Sequence, residues 1–272
     1  MVDNKSQIEH SISQVRKRDG SVSDFNRDKI LNAIHKAFSA SNKPDKELAA
    51  QLCDGVLAKL TEHGFSANNP PSVESIQDLV ESTLIDQGHS DIAKSYILYR
   101  HERRKVREEK MKVLNTKRLD SVGKSFDINC LRVLASRYLF RDNKNEITEK
   151  PTELFERVAV LVSISDLMRD NYLFTKDGGI SQNIEEAAEY LKKLDDFNYK
   201  FKIGKYYLNK WHFRCLINCY LDLAKQGMMK VPFRELLTML ASKKFDAYAD
   251  RISEYYELMT SQDFLPNSPT MM

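Results

Sequence analysis

With 272 residues, 42% of them hydrophobic and 30% charged, the chain has ample apolar material for a core and lies well outside disordered composition. Its formal net charge of +3 is too small to mark a nucleic-acid binder, so the placement of the cations matters more than their sum. Four cysteines, with no signal-like segment and no run of about 18 apolar residues, argue against a disulfide scaffold or a membrane anchor and point to free thiols in a reducing, cytoplasmic setting. Only 9 glycines and 7 prolines interrupt long helical periodicities, which makes the chain mainly α.

The first predicted element is a hairpin. Val15 and Lys17 on one side and Val22 and Phe25 on the other flank Asp19-Gly20, a dipeptide suited to a two-residue turn. Asn26 then caps a helix with Ile30, Ile34, Ala37 and Phe38 on one face. Five cations fall within this short stretch: Arg16, Lys17, Arg18, Arg27 and Lys29. Lys29 lies in the first helical turn, where the helix dipole disfavours a cation unless an anion sits beside it, and Asp28 offsets only part of that charge. Lys17, Arg18, Lys29 and the helix-end amides would converge on a polyphosphate, with Arg16 and Arg27 solvated. Ordinary surface charge accounts for the same residues, and composition alone does not choose between the two.

A second helix carries Leu48, Leu52, Val56 and Leu60 and ends near His63-Gly64. Ser72, after Pro70-Pro71, caps a third with Ile76, Leu79, Val80 and Leu84, closed by Gly88. Ser90 caps a fourth, along which lie Ala93, Tyr96, Ile97 and Arg100. From Tyr99 to Arg118 the chain becomes densely charged, and a domain boundary is expected near residues 105–120.

Beyond it the pattern is helical again. Leu131, Leu134, Ala135 and Tyr138 mark one helix, Asp142 to Lys144 a polar turn, and Thr152 caps a helix with Leu154, Phe155 and Val158 inward. Further helices are expected from Asn183, Asn209, Pro232 and Ala247. Cys53 and Cys130 read as core thiols. His212, Cys215 and Cys219 share a helix face at metal-compatible spacing, but a fourth ligand is not obvious and buried thiols are the preferred reading.

Several separated motifs resemble the ATP-cone, the allosteric nucleotide domain of ribonucleotide reductases. They are V-x-K-R-D-G at Val15–Gly20, F-N-x-x-K-I at Phe25–Ile30, A-I-x-K-A-F at Ala33–Phe38, S-V-E-S-I-Q-D-L-V-E at Ser72–Glu81 and A-x-x-Y-I-x-Y-R at Ala93–Arg100. The resemblance implies a four-helix bundle lidded by a small sheet over residues 14–105, after a tail at 1–13. It implies ATP or dATP as effector, surrounded by Val15, Lys17, Arg18, Asn26 and Lys29, with Ile30, Gln77 and Arg103 further out, near the base and on the phosphate side. The family often has Glu where this chain has Ser23, a position expected to touch sugar or base. A zinc-ribbon repressor that also carries the cone is not expected, because no C-x-x-C pair precedes it here.

After a charged helical linker at 106–120, L-x-V-L-A-S-R-Y-L at Leu131–Leu139 and T-E-L-F-E-R-V-A at Thr152–Ala159 resemble the all-helical N-terminal domain of the reductase proper, at 121–272. The likeness is greatest to the adenosylcobalamin-dependent branch. The segment Asp263–Met272 resembles the entry to the catalytic barrel, where Ser268 would approach the substrate phosphate. That resemblance implies the regulatory N-terminal portion of a ribonucleoside-diphosphate reductase, with no catalytic residue and no metal of its own. Its partner would be the remainder of the reductase, supplied as a separate chain or by splicing. Adenosylcobalamin would belong to the complete enzyme, neither nucleic acid nor membrane would be a partner, and a homo-oligomer stays open. The alternative is a free-standing, non-catalytic nucleotide sensor. The exposed apolar residues Phe264, Leu265, Met271 and Met272 would be left without a home at an interrupted fold.

Overall fold

In the computed structural model, which describes residues 12–41, 43–195, 201–267 and 270–271, the chain forms two units, Met1–Glu109 and Lys110–Met272. Eleven helices and two two-stranded antiparallel sheets lie among the described residues. None of the helices is long and apolar enough to cross a membrane.

The first unit opens with the hairpin β1 (Gln14–Arg16) and β2 (Val22–Asp24), in the register Gln14↔Asp24, Val15↔Ser23, Arg16↔Val22. Its turn is longer than the Asp19-Gly20 pair suggests. Lys17 N donates to Ser21 O at 2.7 Å and Gly20 N to Lys17 O at 3.0 Å, and of the turn residues only Gly20 takes a positive φ, +81°. Arg18, Asp19 and Gly20 thus form a three-residue loop, with Asp19 Oδ1 accepting from Ser21 N instead of helping to reverse the chain. The register leaves Val15 and Ser23 half-buried on one face and the basic residues outside. Arg16 N donates to Pro71 O at 2.9 Å, and Arg16 bridges Ser72 in parallel, so the hairpin is tied to the start of the third helix.

Four helices lie behind the hairpin: α1 (Arg27–Ala40), α2 (Lys46–Glu62), α3 (Val73–Asp86) and α4 (Ser90–Val113), the last containing the division between the units. Asn26, Asp45 and Ser72 cap the first three through their side chains. Glycine follows the last helical turns of α2 and α3, with Gly64 at φ +74° and Gly88 at +81°. Ile30, Ile34 and Phe38 meet Leu52, Cys53, Val56 and Leu60, with Val80, Leu84, Ile92, Ala93 and Tyr96 closing the core. Ile97, expected beside Tyr96, is 38% exposed, whereas Tyr96 is 4% exposed. Arg27 is not solvated: it is half-buried, with Nη2 2.5 Å from Asp54 Oδ1 on α2.

The second unit contains α5 (Ser121–Ser125), α6 (Ile128–Arg137), α7 (Pro151–Leu167), α8 (Glu185–Lys192), α9 (Lys210–Lys225), α10 (Phe233–Ala241) and α11 (Tyr248–Thr260). A two-residue-per-strand hairpin, β3 (Lys202–Ile203) with β4 (Tyr206–Tyr207), is a small addition to an otherwise helical unit. Helix α7 is the central element, packing on α5, α9 and α11, with Leu154, Phe155, Val158, Val160, Ile164 and Leu167 at most 1% exposed. It starts two residues earlier than a Thr152 cap would place it. Lys150 is the N-cap and Pro151 the first helical residue, whose missing N–H is no loss there. Thr152 N and Oγ1 both donate to Asp120 Oδ2 at 2.9 Å, which ties α7 to the cap of α5. Asn183 Oδ1 accepts from Glu185 N ahead of α8, and Asn209 Oδ1 from Trp211 N and His212 N ahead of α9. At the C-terminal end, Phe264 and Leu265 are exposed, but Met271 is 4% exposed and belongs to the core. Ser268 and Met272 lie outside the described residues.

Candidate functional site

The hairpin and the first helix frame a cavity of about 240 Å³ in the first unit. Val15, Lys17, Ser23, Asp24 and Phe25 form its hairpin side, and Asn26, Lys29, Ile30 and Ala33 continue it along α1. Val73, Ile76, Gln77 and Val80 from α3 and Tyr96 from α4 complete the wall. Besides Ser23, six residues anticipated from sequence therefore share one cavity: Val15, Lys17, Asn26, Lys29, Ile30 and Gln77. The cavity is a little smaller than a typical small-ligand pocket, about 300 Å³ upward, and mixes apolar walls with a few polar groups in the usual way.

The local sequence explains the arrangement. Period-two alternation in β1 and β2 turns Val15 and Ser23 to the same inner face. Asn26 has extended backbone, φ −135°, and its Oδ1 accepts from Asp28 N at 2.8 Å. Lys29 N donates to Asn26 O at 3.2 Å. With these two amides engaged by Asn26, attraction for an anion rests mainly on side-chain cations. Among the described residues, no hydrogen bond or ion pair ends on Lys17 Nζ or Lys29 Nζ. Both side chains are exposed, so neither ammonium is desolvated before a ligand arrives.

Arg18 and Arg103 do not line the cavity. Arg18 Nε is 2.5 Å from Glu74 Oε1, and its Nη2 donates to Gln77 Oε1 at 3.2 Å, so Gln77 connects it to the cavity wall. Burial, then the charges of Arg18 and Arg103, lower the Arg107 guanidinium below the usual arginine value. These three guanidiniums form a positive cluster with Glu74 and Glu108 as counter-charges. Sequence patterns alone assigned no role to Arg107, although its spacing of four from Arg103 places the two on one face of α4. Also missed as cavity residues were Asp24, Phe25, Ala33, Val73, Ile76, Val80 and Tyr96. Most of them read as core because each contributes one apolar edge to a helix stripe. Burial raises the Tyr96 phenol to about 12, so it is a neutral wall group.

The second unit places its polar residues differently. Arg157 on α7 is 4% exposed and faces Glu149, with Nε–Oε1 2.9 Å and Nη2–Oε2 3.2 Å. Phe140 N also donates to Glu149 Oε2 at 3.1 Å, and the Phe140 ring lies 4.1 Å from the guanidinium carbon. His212 Nδ1 accepts from Asn209 N at 3.1 Å, which leaves Nε2 to carry the proton it donates to Arg157 O, also at 3.1 Å. Desolvation depresses this imidazole to about 4, so it is neutral. Both ring nitrogens serve the cap of α9 and the adjoining backbone, and His212 is not combined with Cys215 and Cys219 as a ligand set. Cys53 is buried, and its thiol is raised to about 11 by burial. Cys130 is only half-buried, unlike the core thiol its helix position suggests, and its hydrogen bond to Asp127 raises it. Two clefts of about 360 and 420 Å³ share Phe140 and Arg157 as walls.

A basic hairpin lid on a four-helix bundle, followed by a largely helical second unit, defines an ATP-cone ahead of a reductase all-α domain. The profile described as the ATP cone domain matches residues 13–105, and the one described as the ribonucleotide reductase all-alpha domain matches residues 124–272. The chain belongs to the ribonucleotide reductase family. It is 34% identical over 266 residues to a vitamin B12-dependent ribonucleoside-diphosphate reductase of Thermoplasma acidophilum, covering 96% of this chain and 31% of that protein. A vitamin B12-dependent ribonucleoside-diphosphate reductase of Mycobacterium tuberculosis is 30% identical over 183 residues, 67% of this chain and 24% of the relative. A ribonucleoside-diphosphate reductase subunit alpha of Chlamydia trachomatis is 37% identical over 107 residues, 37% of this chain and 10% of the relative. The chain thus spans at most about a third of these curated relatives.

Proposed function

We propose that this chain is the N-terminal regulatory portion of a cytoplasmic, adenosylcobalamin-dependent ribonucleoside-diphosphate reductase, with ATP and dATP competing for the cavity under the hairpin. The observation that carries the reading is the convergence of six anticipated residues on one cavity whose two lysine ammoniums have no protein partner among the described residues. The apolar surfaces of Phe25, Ile30, Ile76 and Val80 suit a nucleobase, while Gln77 and Asp24 offer polar edges to base or ribose. Ser23 stands where the sugar or base contact is expected and supplies a hydroxyl instead of the frequent carboxylate. Lys17 and Lys29 would hold the phosphates, with Arg18, Arg103 and Arg107 extending the positive field beyond Gln77.

The effector would act on the rest of the enzyme by favouring one arrangement of subunits, to the extent that its affinity differs between arrangements. Cobalamin would supply radical initiation in the complete enzyme. The three cavities described, of about 240, 360 and 420 Å³, do not fit a corrin macrocycle. Reduction by residues 1–272 alone is not expected. Ser268, proposed to approach a substrate phosphate, would act only together with a catalytic barrel. The purified 272-residue chain should give no deoxynucleotide with adenosylcobalamin and a dithiol, and turnover above a reagent blank would overturn that part of the reading.

Calorimetric titration with ATP and dATP tests the site. Charge-assisted phosphate contacts contribute about 1.5–3 kcal/mol each. Lys29→Ala should therefore weaken binding roughly 10- to 150-fold with helical content unchanged, and Arg18→Ala, outside the cavity lining and paired with Glu74, by less. Arg132→Ala and Lys192→Ala, in the second unit, should bind like wild type. Equal affinity across all four variants would reduce the hairpin cations to surface charge.

A further inference from the structure

The chain contains three Asp–Gly bonds, Asp19–Gly20, Asp54–Gly55 and Asp177–Gly178, and the fold holds each of them differently. Such a bond is open to rearrangement because glycine has no Cβ, so its amide nitrogen meets little hindrance on approaching the aspartate carboxyl carbon. Attack needs the glycine N–H released from any acceptor, the carboxyl group free to turn, and room for the backbone between them to rotate.

Two of the three fail these conditions. Gly55 lies in the middle of α2, where amides are spent on the helical ladder, and Asp54 Oδ1 is 2.5 Å from Arg27 Nη2. Gly20 N donates to Lys17 O at 3.0 Å within the hairpin loop, while Asp19 Oδ1 accepts from Ser21 N at 3.0 Å and from Ser21 Oγ. Asp177–Gly178 lies between α7 and α8 in a stretch without regular structure, with Asp177 exposed and Gly178 half-buried. Among the described residues, Gly178 N makes no hydrogen bond, and the Asp177 carboxylate accepts only from Thr175 Oγ1, at 3.5 Å. A Cβ built on Gly178, at φ +66°, would meet only Gln226 O within 4 Å, at 3.6 Å, so the bond has room to turn. The tethers of this stretch lie to either side of it: Thr175 N donates to Met228 O at 2.9 Å and Ile180 N to Gly227 O at 3.0 Å. We propose that Asp177 is a site of spontaneous isoaspartate formation, the first of the three Asp–Gly bonds to rearrange in the folded chain.

The step balances with water alone. Gly178 N forms a bond to Asp177 Cγ, the Cγ–OH bond of the protonated carboxyl breaks, and the hydroxyl leaves as water with the amide proton. The product is a cyclic succinimide. Water adding back at Cγ regenerates aspartate. Water adding at the former main-chain carbonyl breaks the bond from that carbon to Gly178 N, and the chain then runs through Asp177 Cβ and Cγ. No atom is gained or lost overall and nothing is oxidised or reduced. The main chain becomes one carbon longer between its tethers at Thr175 and Ile180, and the original α-carboxyl becomes a free carboxylate.

The test ages the full 272-residue chain in warm, mildly acidic buffer below its unfolding transition. Its peptides are then mapped, with an isoaspartyl methyltransferase and labelled S-adenosylmethionine as the probe. Isoaspartate should accumulate first in the peptide carrying Asp177. Asp19 should follow about 2- to 12-fold more slowly, the weight of the one hydrogen bond that Gly20 N must give up. Asp54 should be slower still, because α2 must open before Gly55 N can react. In urea-unfolded chain the three should age alike, which separates the effect of the fold from that of sequence neighbours. Asp177→Glu should remove the leading signal, since its ring would need a sixth member and closes slowly, whereas Asp19→Glu should leave that signal in place. Equal or earlier accumulation at Asp19 or Asp54 in the folded chain, or the same ranking in urea, would overturn the proposal. The wild-type ranking in the two states suffices if a variant does not fold.

Discussion

Cations in the two units are treated in opposite ways. Arg157 in the second unit is buried and surrounded, with Glu149 bidentate on its guanidinium, a ring beneath it and His212 on its own carbonyl. Lys17 and Lys29 in the first unit stand exposed at the rim of a cavity, without a protein partner among the described residues. A buried charge must be neutralised within the fold, because desolvation is otherwise several kcal/mol. An exposed charge carries no such demand and is available to a ligand. The comparison separates a polar group that holds a fold from one that waits for an anion, and it makes opposite predictions for mutation.

The largest effect should come from opening the buried pair. Glu149→Ala leaves Arg157 uncompensated and should destabilise the second unit by about 3–5 kcal/mol. The chain's single tryptophan, Trp211, lies in that unit, so denaturant unfolding followed by its fluorescence reports the loss directly. Nucleotide affinity of the first unit, measured below the unfolding transition, should stay at the wild-type value. Arg157→Met combined with Glu149→Leu should recover part of the stability, since no charge then remains to be buried.

Acid should reach the same region through His212. Its folded value near 4 lies below the ordinary 6.5, so the unfolded chain binds the extra proton. The sign follows: this contribution is fully present above about pH 6.5 and is lost as pH falls toward 4. The depression corresponds to about 3 kcal/mol over that window. His212→Gln should flatten this part of the stability–pH curve. A curve unchanged by the substitution would mean the imidazole titrates alike in the folded and unfolded chain.

Much of the first unit was legible because its signals are local. Asn26 and Ser72 cap the helices expected of them, and the stripe Ile30, Ile34, Phe38 is the buried one. Six cavity residues were anticipated, largely through motifs, and how those motifs come together over 60 residues could not be read from any window. The misses share a cause. Phe25, Ile76 and Tyr96 serve core and cavity with different edges, and periodicity does not say which edge stays open. Arg27 reads as one more surface cation until Asp54, 27 residues away, is brought to it. Thr152 has the chemistry of a cap, but Pro151 claims the first helical position and Asp120 takes the Thr152 donors.

Smaller changes test the rim. Asn26 has two roles in the proposed site, capping α1 through Asp28 N and lining the cavity. Asn26→Ala should lower stability by about 1 kcal/mol through loss of the cap. Asn26→Asp keeps the cap and adds a negative charge beside the phosphates, so stability should hold while ATP affinity falls several-fold. If both variants bound ATP like wild type, Asn26 would be a cap alone.

The smallest effect concerns Arg18, which stands between the two kinds of cation. It is exposed like the lysines yet paired like Arg157, with Glu74 at 2.5 Å and Gln77 at 3.2 Å. Exposed pairs of this kind contribute about 0–1 kcal/mol. A phosphate arriving at the rim would have to compete with Glu74 for the guanidinium, and Glu74 itself repels the anion. Glu74→Ala should therefore tighten ATP binding up to about fivefold, with stability unchanged within about 0.5 kcal/mol. The gain should shrink at high salt, as expected of an exposed charge. In an Arg18→Ala background it should fall to the repulsion alone, so a double-mutant cycle isolates the competition from the simple loss of a negative charge. If Glu74→Ala weakened binding instead, the carboxylate would be orienting Arg18 toward the ligand, and Arg18 would belong with the preorganised cations of the second unit.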